Sequence, residues 1–268
     1  MGRYTLNPAM PVLLRPDGVV QVGWDPRRAV LVRPPAGLSP AGLAELLRTL
    51  QSGATLAELQ ARFEIDPGDL VSSLIDAGVV TARHRRAHRM SVRIHGRGPL
   101  SDLLAGALRC SGARVTRSNI THSAPPDTTD LVVLSDFLVT DPRVVRELHT
   151  ARVAHLPVRL RDGAGLVGPL VIPGVTSCLE CADLHRSDRD AAWPAVASQL
   201  RNAVGSADRA TVLATAALAL NQVDRVIRAV REGDSAEPPP TLDTTLEFDV
   251  NAGAIVARRW SRHPRCWC

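Results

Sequence analysis

The chain has 268 residues, enough for one large domain or two smaller ones, and its formal charge of +5 rests on 32 basic residues that are all arginine. The absence of lysine excludes Schiff-base chemistry and a P-loop lysine, and an aromatic content of 3% argues against a nucleic-acid surface of interleaved basic and aromatic side chains. No apolar run reaches the length of a membrane span and the first residues lack a secretory pattern, so a cytoplasmic protein with reduced thiols and no membrane partner is expected.

In chain order, Val12 to Arg15 and Val19 to Val22 flank the turn tripeptide Pro16-Asp17-Gly18 and predict a hairpin, with Ala29, Val30, Leu31 and Val32 as a third strand. Three helices should follow. Ser39-Pro40 is a cap followed by proline, Thr55 and Glu58 are spaced as a capping box, and Asp66-Pro67 opens a helix through Leu70, Val71, Leu74 and Ile75 that Gly78 closes. Three strands and three short helices predict a winged-helix-like unit over residues 1–82. Its last helix carries Asp66, Asp69 and Asp76 and no arginine, which would repel DNA phosphates, so no nucleic-acid partner is expected. Winged-helix units also take up peptides as an added strand, and here the peptide would pair with Ala29 to Val32 and rest on Leu70 and Leu74. An Arg/His-rich stretch over 83–90 predicts a solvated linker.

From 91 to 268 the pattern changes to alternating strands and helices, which predicts a Rossmann-like α/β domain. Ser91 to His95 is a strand, Gly96-Arg97-Gly98-Pro99-Leu100-Ser101 a turn, Asp102 to Cys110 a helix and Arg114 to Thr116 the next strand. That turn reads G-x-G-x-x-S where a dinucleotide fold has a third glycine, and no carboxylate stands after the second strand to hold a ribose. The scaffold is therefore expected to have lost its nucleotide, with Gly96, Gly98, Ser101 and Asp136 as vestiges of the site. Leu131 to Leu134, Pro142 to Thr150 and Leu156 to Leu160 read as strand, helix and strand. Ser206 to Arg231 reads as a long helix with an apolar stripe through Leu213, Ala217, Leu220 and Val223 that suits either the core or a homodimer interface. Thr244 to Val250 and Ala254 to Arg259 form a hairpin around Asn251-Ala252-Gly253.

Four of the five cysteines form two short clips, Cys178-Leu179-Glu180-Cys181 and Cys266-Trp267-Cys268. Two chelating pairs from distant stretches predict a tetrahedral thiolate site for a structural zinc ion, the alternatives being disulfides or a redox pair. With four thiolates as ligands, His185 and His263 are expected to support the site or lie on the surface.

The segment Gly168-Pro169-Leu170-Val171-Ile172-Pro173-Gly174, continuing through Thr176, Cys178 and Cys181, then His185-Arg186, Arg189-Asp190 and Trp193-Pro194, with His263-Pro264-Arg265-Cys266-Trp267-Cys268 at the end, resembles the ThiF-like partner proteins of YcaO cyclodehydratases. That family includes bacteriocin-biosynthesis and leader-peptide-binding proteins, and the order of three strands and three helices is similar to their PqqD-like recognition unit. The resemblance implies a fold like that of ubiquitin-activating enzymes, a zinc site of two cysteine pairs, a precursor peptide and a YcaO-type enzyme as partners, and no catalytic residues of its own. Active relatives adenylate a carboxylate with ATP, using a glycine-rich turn, a ribose acid and a lysine that this chain lacks. Only Asp136 matches a position they use, so ATP is not expected to bind. The competing readings are a diverged adenylating enzyme acting on a peptide or carrier-protein C-terminus, and a zinc-stabilised winged-helix DNA regulator.

Overall fold

The computed structural model describes residues 2–83, 90–119, 128–232 and 237–268, and the chain divides into two compact units, Met1–Ala87 and His88–Cys268. The expected arginine-rich linker falls almost wholly on residues outside the described set.

In the first unit, strands β1 (Arg3–Leu6), β2 (Val12–Leu14), β3 (Val20–Val22) and β4 (Val30–Val32) precede helices α1 (Pro40–Gln51), α2 (Leu56–Phe63) and α3 (Gly68–Asp76), and β5 (Val80–Arg83) ends it. The strands β2, β3 and β4 form an antiparallel sheet with β4 at one edge, while β1 and β5 pair separately. The sequence reading did not anticipate β1 or β5. Each is only four residues long and without strict alternation, so the two become strands by meeting across the unit.

The helix ends follow local chemistry. The Ser39 hydroxyl accepts the Gly42 amide at 3.1 Å, and Thr55 and Glu58 exchange both bonds of a capping box at 2.8 and 3.2 Å. Pro67 takes the cap position of α3 while Asp66 accepts the Gly68 amide at 2.9 Å, one residue away from the expected arrangement. Leu43, Leu46, Leu47 and Leu50 place one face of α1 in the core with Leu59, Val71 and Leu74 from the other two helices.

In the second unit, β6 (Ser91–His95), α4 (Pro99–Cys110), β7 (Arg114–Ser118), β8 (Leu131–Ser135), α5 (Pro142–Thr150), β9 (Ala154–Arg161) and β10 (Ala164–Val167) come first. Then follow α6 (Leu179–Arg189), α7 (Trp193–Leu200), α8 (Arg209–Glu232), β11 (Thr244–Asp249) and β12 (Ala254–Arg259). One mixed sheet of seven strands runs β12-β11-β10-β9-β8-β6-β7. Its β7-β6-β8-β9 half is parallel and its β9-β10-β11-β12 half antiparallel. Val92, Ile94, Leu131 and Val133 are fully buried in the central strands, as continuous apolar runs in a covered parallel sheet should be.

The long helix α8 lies on this sheet, and Gly165 on β10 leaves room for it, since a Cβ there would collide with Thr215. The face of α8 that enters the core is Ala216, Ala219, Val223, Val226 and Ile227. The expected stripe is therefore only partly the core face: Val223 is buried, Leu220 is half-buried, and Leu213, 50% exposed, and Ala217 point outward. A helix this rich in Ala, Leu and Val has apolar residues on more than one face, and composition does not mark which face meets the sheet.

Candidate functional site

The peptide-pairing surface expected in the first unit is the free edge of β4. The Arg15 amide donates to the Val19 carbonyl at 3.0 Å and the Gly23 amide to the Pro11 carbonyl at 2.8 Å, so the odd-numbered residues of β3 turn their backbone groups to β2. Backbone direction alternates along an antiparallel strand, which turns Val20 and Val22 toward their partners Val32 and Val30 on β4. Leu31 is thereby left with its amide and carbonyl on the open edge, and its side chain is 57% exposed. Ala29 and Val30 are half-buried and Val32 is buried. On α3, Leu70 is half-buried but Leu74 is only 2% exposed and belongs to the hydrophobic core. Leu74 thus holds the helix in place, and of the two leucines only Leu70 offers surface.

In the second unit the turn after β6 keeps its shape and changes its chemistry. A Cβ on Gly96 would collide with the Ser135 carbonyl and one on Gly98 with the Asp136 carboxylate, so both glycines allow a close approach of backbone to strand end. Ser101, at the third position of the motif, folds its hydroxyl back onto Gly98, 3.0 Å from the amide and 2.8 Å from the carbonyl. Asp136 is 1% exposed and its carboxylate accepts the Leu100 and Ser101 amides at 2.9 and 3.1 Å. These amides open α4, where the helix dipole and free N–H groups make an anion site. The protein's own carboxylate fills the place a phosphate would take.

Beside it, at the ends of β6, β7 and β8, a cavity of about 60 Å³ is lined by His95, Asn119, Asp141 and Arg201 among others. Burial, reinforced by the charge of Arg93, holds His95 below the usual histidine range. At the end of β7, Ser118 accepts from Arg93 at 2.7 Å and meets His95 Nδ1 at 3.0 Å.

The two cysteine clips do come together. The Sγ atoms of Cys178 and Cys181 are 3.7 Å apart, those of Cys178 and Cys266 3.5 Å and those of Cys181 and Cys268 3.4 Å, with all four within 4.8 Å of one another. These separations are far beyond a disulfide bond, and the cysteines are free thiols. Sulfurs at about 2.3 Å from a tetrahedral zinc would lie about 3.8 Å from each other, so the cluster fits that ion. Cys178 caps α6, its Sγ accepting the Cys181 amide at 3.4 Å. Burial raises the Cys178 thiol and pushes Cys268 up to about 11. Burial acts on Cys181 too, but amide hydrogen bonds from His263 and Cys178 outweigh it and hold that thiol below the usual range.

The terminal clip is strapped to α6 by more than sulfur. His263, 5% exposed, meets Asp188 through Nε2 at 2.8 Å, and Arg265 reaches the other oxygen of the same carboxylate. Hydrogen bonding from His263, then the charge of Arg265, hold Asp188 below the ordinary carboxylate range. His185 stacks edge-on against His263 at 4.7 Å and faces the Ser261 carbonyl at 3.1 Å. Both histidines thus hold the tail against the helix that carries the first clip.

Sequence reasoning assigned no structure to most of 161–200, and residues of this region help to line a cavity. About 520 Å³ in volume, it lies between the ends of β8 and β9 and the helices α5, α6 and α7. Arg146, Arg159, Arg161 and Arg186 line it with Trp193. The arginines were visible as composition only, because their convergence depends on three different elements, α5, β9 and α6.

No family model matches the sequence, and no curated protein does. Solved structures share its fold. A heterocyclase in complex with substrate and cofactor matches with a TM-score of 0.69 at 15% identity, covering 100% of this chain and 39% of that one. The heterocyclase TruD matches with 0.67 at 16%, covering 100% and 42%. This chain thus spans about two-fifths of the length of those two heterocyclases. MccB of E. coli with MccA-N7isoASN matches with 0.59 at 15%, covering 100% and 99%. This chain shares the fold of those two heterocyclases and of MccB.

Proposed function

We propose that this protein is the peptide-binding, non-catalytic partner of a YcaO-type cyclodehydratase, holding a precursor peptide while the enzyme converts its Cys, Ser or Thr residues to azolines. The first unit acts as a winged-helix-like recognition domain, with an arginine-rich linker to a ThiF-like domain whose four cysteines bind a structural zinc. The observation that carries the reading is the open edge of β4, where Leu31 presents an amide and carbonyl with no partner among the described residues beside an exposed side chain. A peptide strand adds there by main-chain hydrogen bonds. Two features favour an accessory over an adenylating role: Asp136 occupies the anion site of α4, and the adjoining cavity of about 60 Å³ is far smaller than a nucleotide needs. This chain spans about two-fifths of the length of the heterocyclases of like fold, and in this reading the ring-closing chemistry is the YcaO-type enzyme's. DNA is a poor partner for α3, which starts after Asp66 and carries Asp69 and Asp76. The outward residues Leu213 and Ala217 of α8 provide a surface for a homodimer.

The test is reconstitution. A precursor peptide encoded beside this gene is incubated with ATP and its YcaO enzyme, with and without this protein, and mass spectrometry counts the waters lost. Loss of water that requires both this protein and the intact leader is the expected result. Equal modification without this protein, or of a leaderless peptide, would overturn the reading.

A further inference from the structure

The cavity between β9 and the helices α5, α6 and α7 collects more positive charge than the protein itself neutralises. Of its four arginines, Arg161 reaches Glu247 at 3.3 Å and Arg186 holds Asp183 at 2.8 Å. Arg159 and Arg146 have no ion pair among the described residues. Arg159 donates Nη1 to the Leu138 carbonyl at 2.8 Å, which leaves the rest of its guanidinium fork without a protein partner there. Burial, and then the charge of Arg186, bring it down to about 10. Arg159 is half-buried, and a cation partly withdrawn from water with no direct ion pair is poorly compensated, so the site gains from an anion that completes the pair.

We propose that this cavity binds a carboxylate carried on an apolar peptide segment, with the carboxylate between Arg159 and Arg146. Charge and wall chemistry select that ligand. Four guanidinium groups face three carboxylates (Asp162, Glu180 and Asp183), so the net lining charge of +1 suits a monoanion better than a phosphate ester. The guanidinium fork matches a carboxylate in two parallel hydrogen bonds. Leu138, Val145, Leu179 and Leu200 supply apolar wall, and about 520 Å³ is room for a few side chains. Trp193 is held in the wall by Asp183, which accepts its Nε1 at 3.2 Å, and by Arg186 stacked 5.0 Å from its ring. The ligand class follows from this geometry; its identity as a stretch of the precursor peptide, beyond the segment paired with β4, rests on the function proposed above.

Calorimetry on the full-length protein tests the site with three synthetic probes. These are Ac-Ala-Leu-Leu-Glu-Leu-Ala-amide, its Gln counterpart, and Ac-Ala-Leu-Leu-Leu with a free C-terminal carboxylate. One or both carboxylate probes should bind at least about tenfold more tightly than the Gln peptide, the scale of a charge-assisted hydrogen bond. Which of the two wins tells an acidic side chain from a chain terminus. Arg159→Met should remove this preference, and Arg146→Ala, at an exposed position that folding tolerates, should weaken it. Equal binding of the Gln peptide, an unchanged preference in Arg146→Ala, or tighter binding of pyrophosphate than of either carboxylate would overturn the assignment. Leu31→Pro separates the two proposals: it should leave these affinities unchanged whether or not the leader binds at β4.

Discussion

His155 lies fully buried on β9, with Nδ1 3.1 Å from the Val153 carbonyl and Nε2 without a hydrogen-bond partner among the described residues. Burial pushes it from its ordinary 6.5 down to about 4, although the Val153 carbonyl works the other way. The folded-state value is depressed, so between these limits the unfolded chain binds more protons. Stability is therefore complete above about pH 6.5 and falls as pH drops toward 4, by at most about 3 kcal/mol from this residue. Thermal unfolding from pH 7 to 4.5 should show a shallower decline in His155→Leu than in the wild type. Proton-driven release of a metal ion, if the four cysteines hold one, would affect both proteins and cancel in the comparison. Parallel declines would show that the ring is not held neutral. No sequence signal marked this histidine, because its burial is made by the neighbours that pack around β9.

Among elements, β4 offers the sharpest case. Its edge position and backbone parity put the Leu31 amide where a peptide would pair, and proline there removes that donor without touching the bonds of Val30 and Val32 to β3. Leu31→Pro should weaken leader-peptide binding about tenfold in fluorescence polarisation, the worth of a single main-chain hydrogen bond. Its circular dichroism should match the wild type. Unchanged affinity would move the peptide to another surface. At this scale the local signals served well where they were self-contained: the Thr55 capping box, the Ser39 cap and the Pro16-Asp17-Gly18 turn each act within a few residues. Parity failed, since the four apolar residues Ala29 to Val32 look alike on either face. So did the facing of α8, where Leu213 is as apolar as Val223 yet points away from the sheet.

Across the whole second unit, the cysteine cluster joins the start of α6 to the last residues of the chain, 88 positions apart between Cys178 and Cys266. Zinc there would close that loop, and its binding energy would count as folding energy. Elemental analysis of purified protein should find one zinc per chain. Deleting Cys266 to Cys268 should abolish it and lower the melting temperature by several degrees, the scale of a loss of about 2 kcal/mol in a domain of this size. Metal retained after the deletion, or an unchanged melting temperature, would exclude the site. His263, Arg265 and Asp188 would continue to hold part of the tail, so partial destabilisation is expected and not collapse.

The sequence by itself determined the alternation of strands and helices, the caps, the two cysteine clips and the incomplete nucleotide turn, because each is written in residues close together in the chain. Only the tertiary structure decided that Asp136 fills the anion site of α4, that Leu74 belongs to the core, and that Arg146 and Arg159 converge on one cavity. Those three facts rest on elements far apart in sequence meeting in space. A charge or an apolar side chain acquires its role from what it faces, and the chain order does not state that.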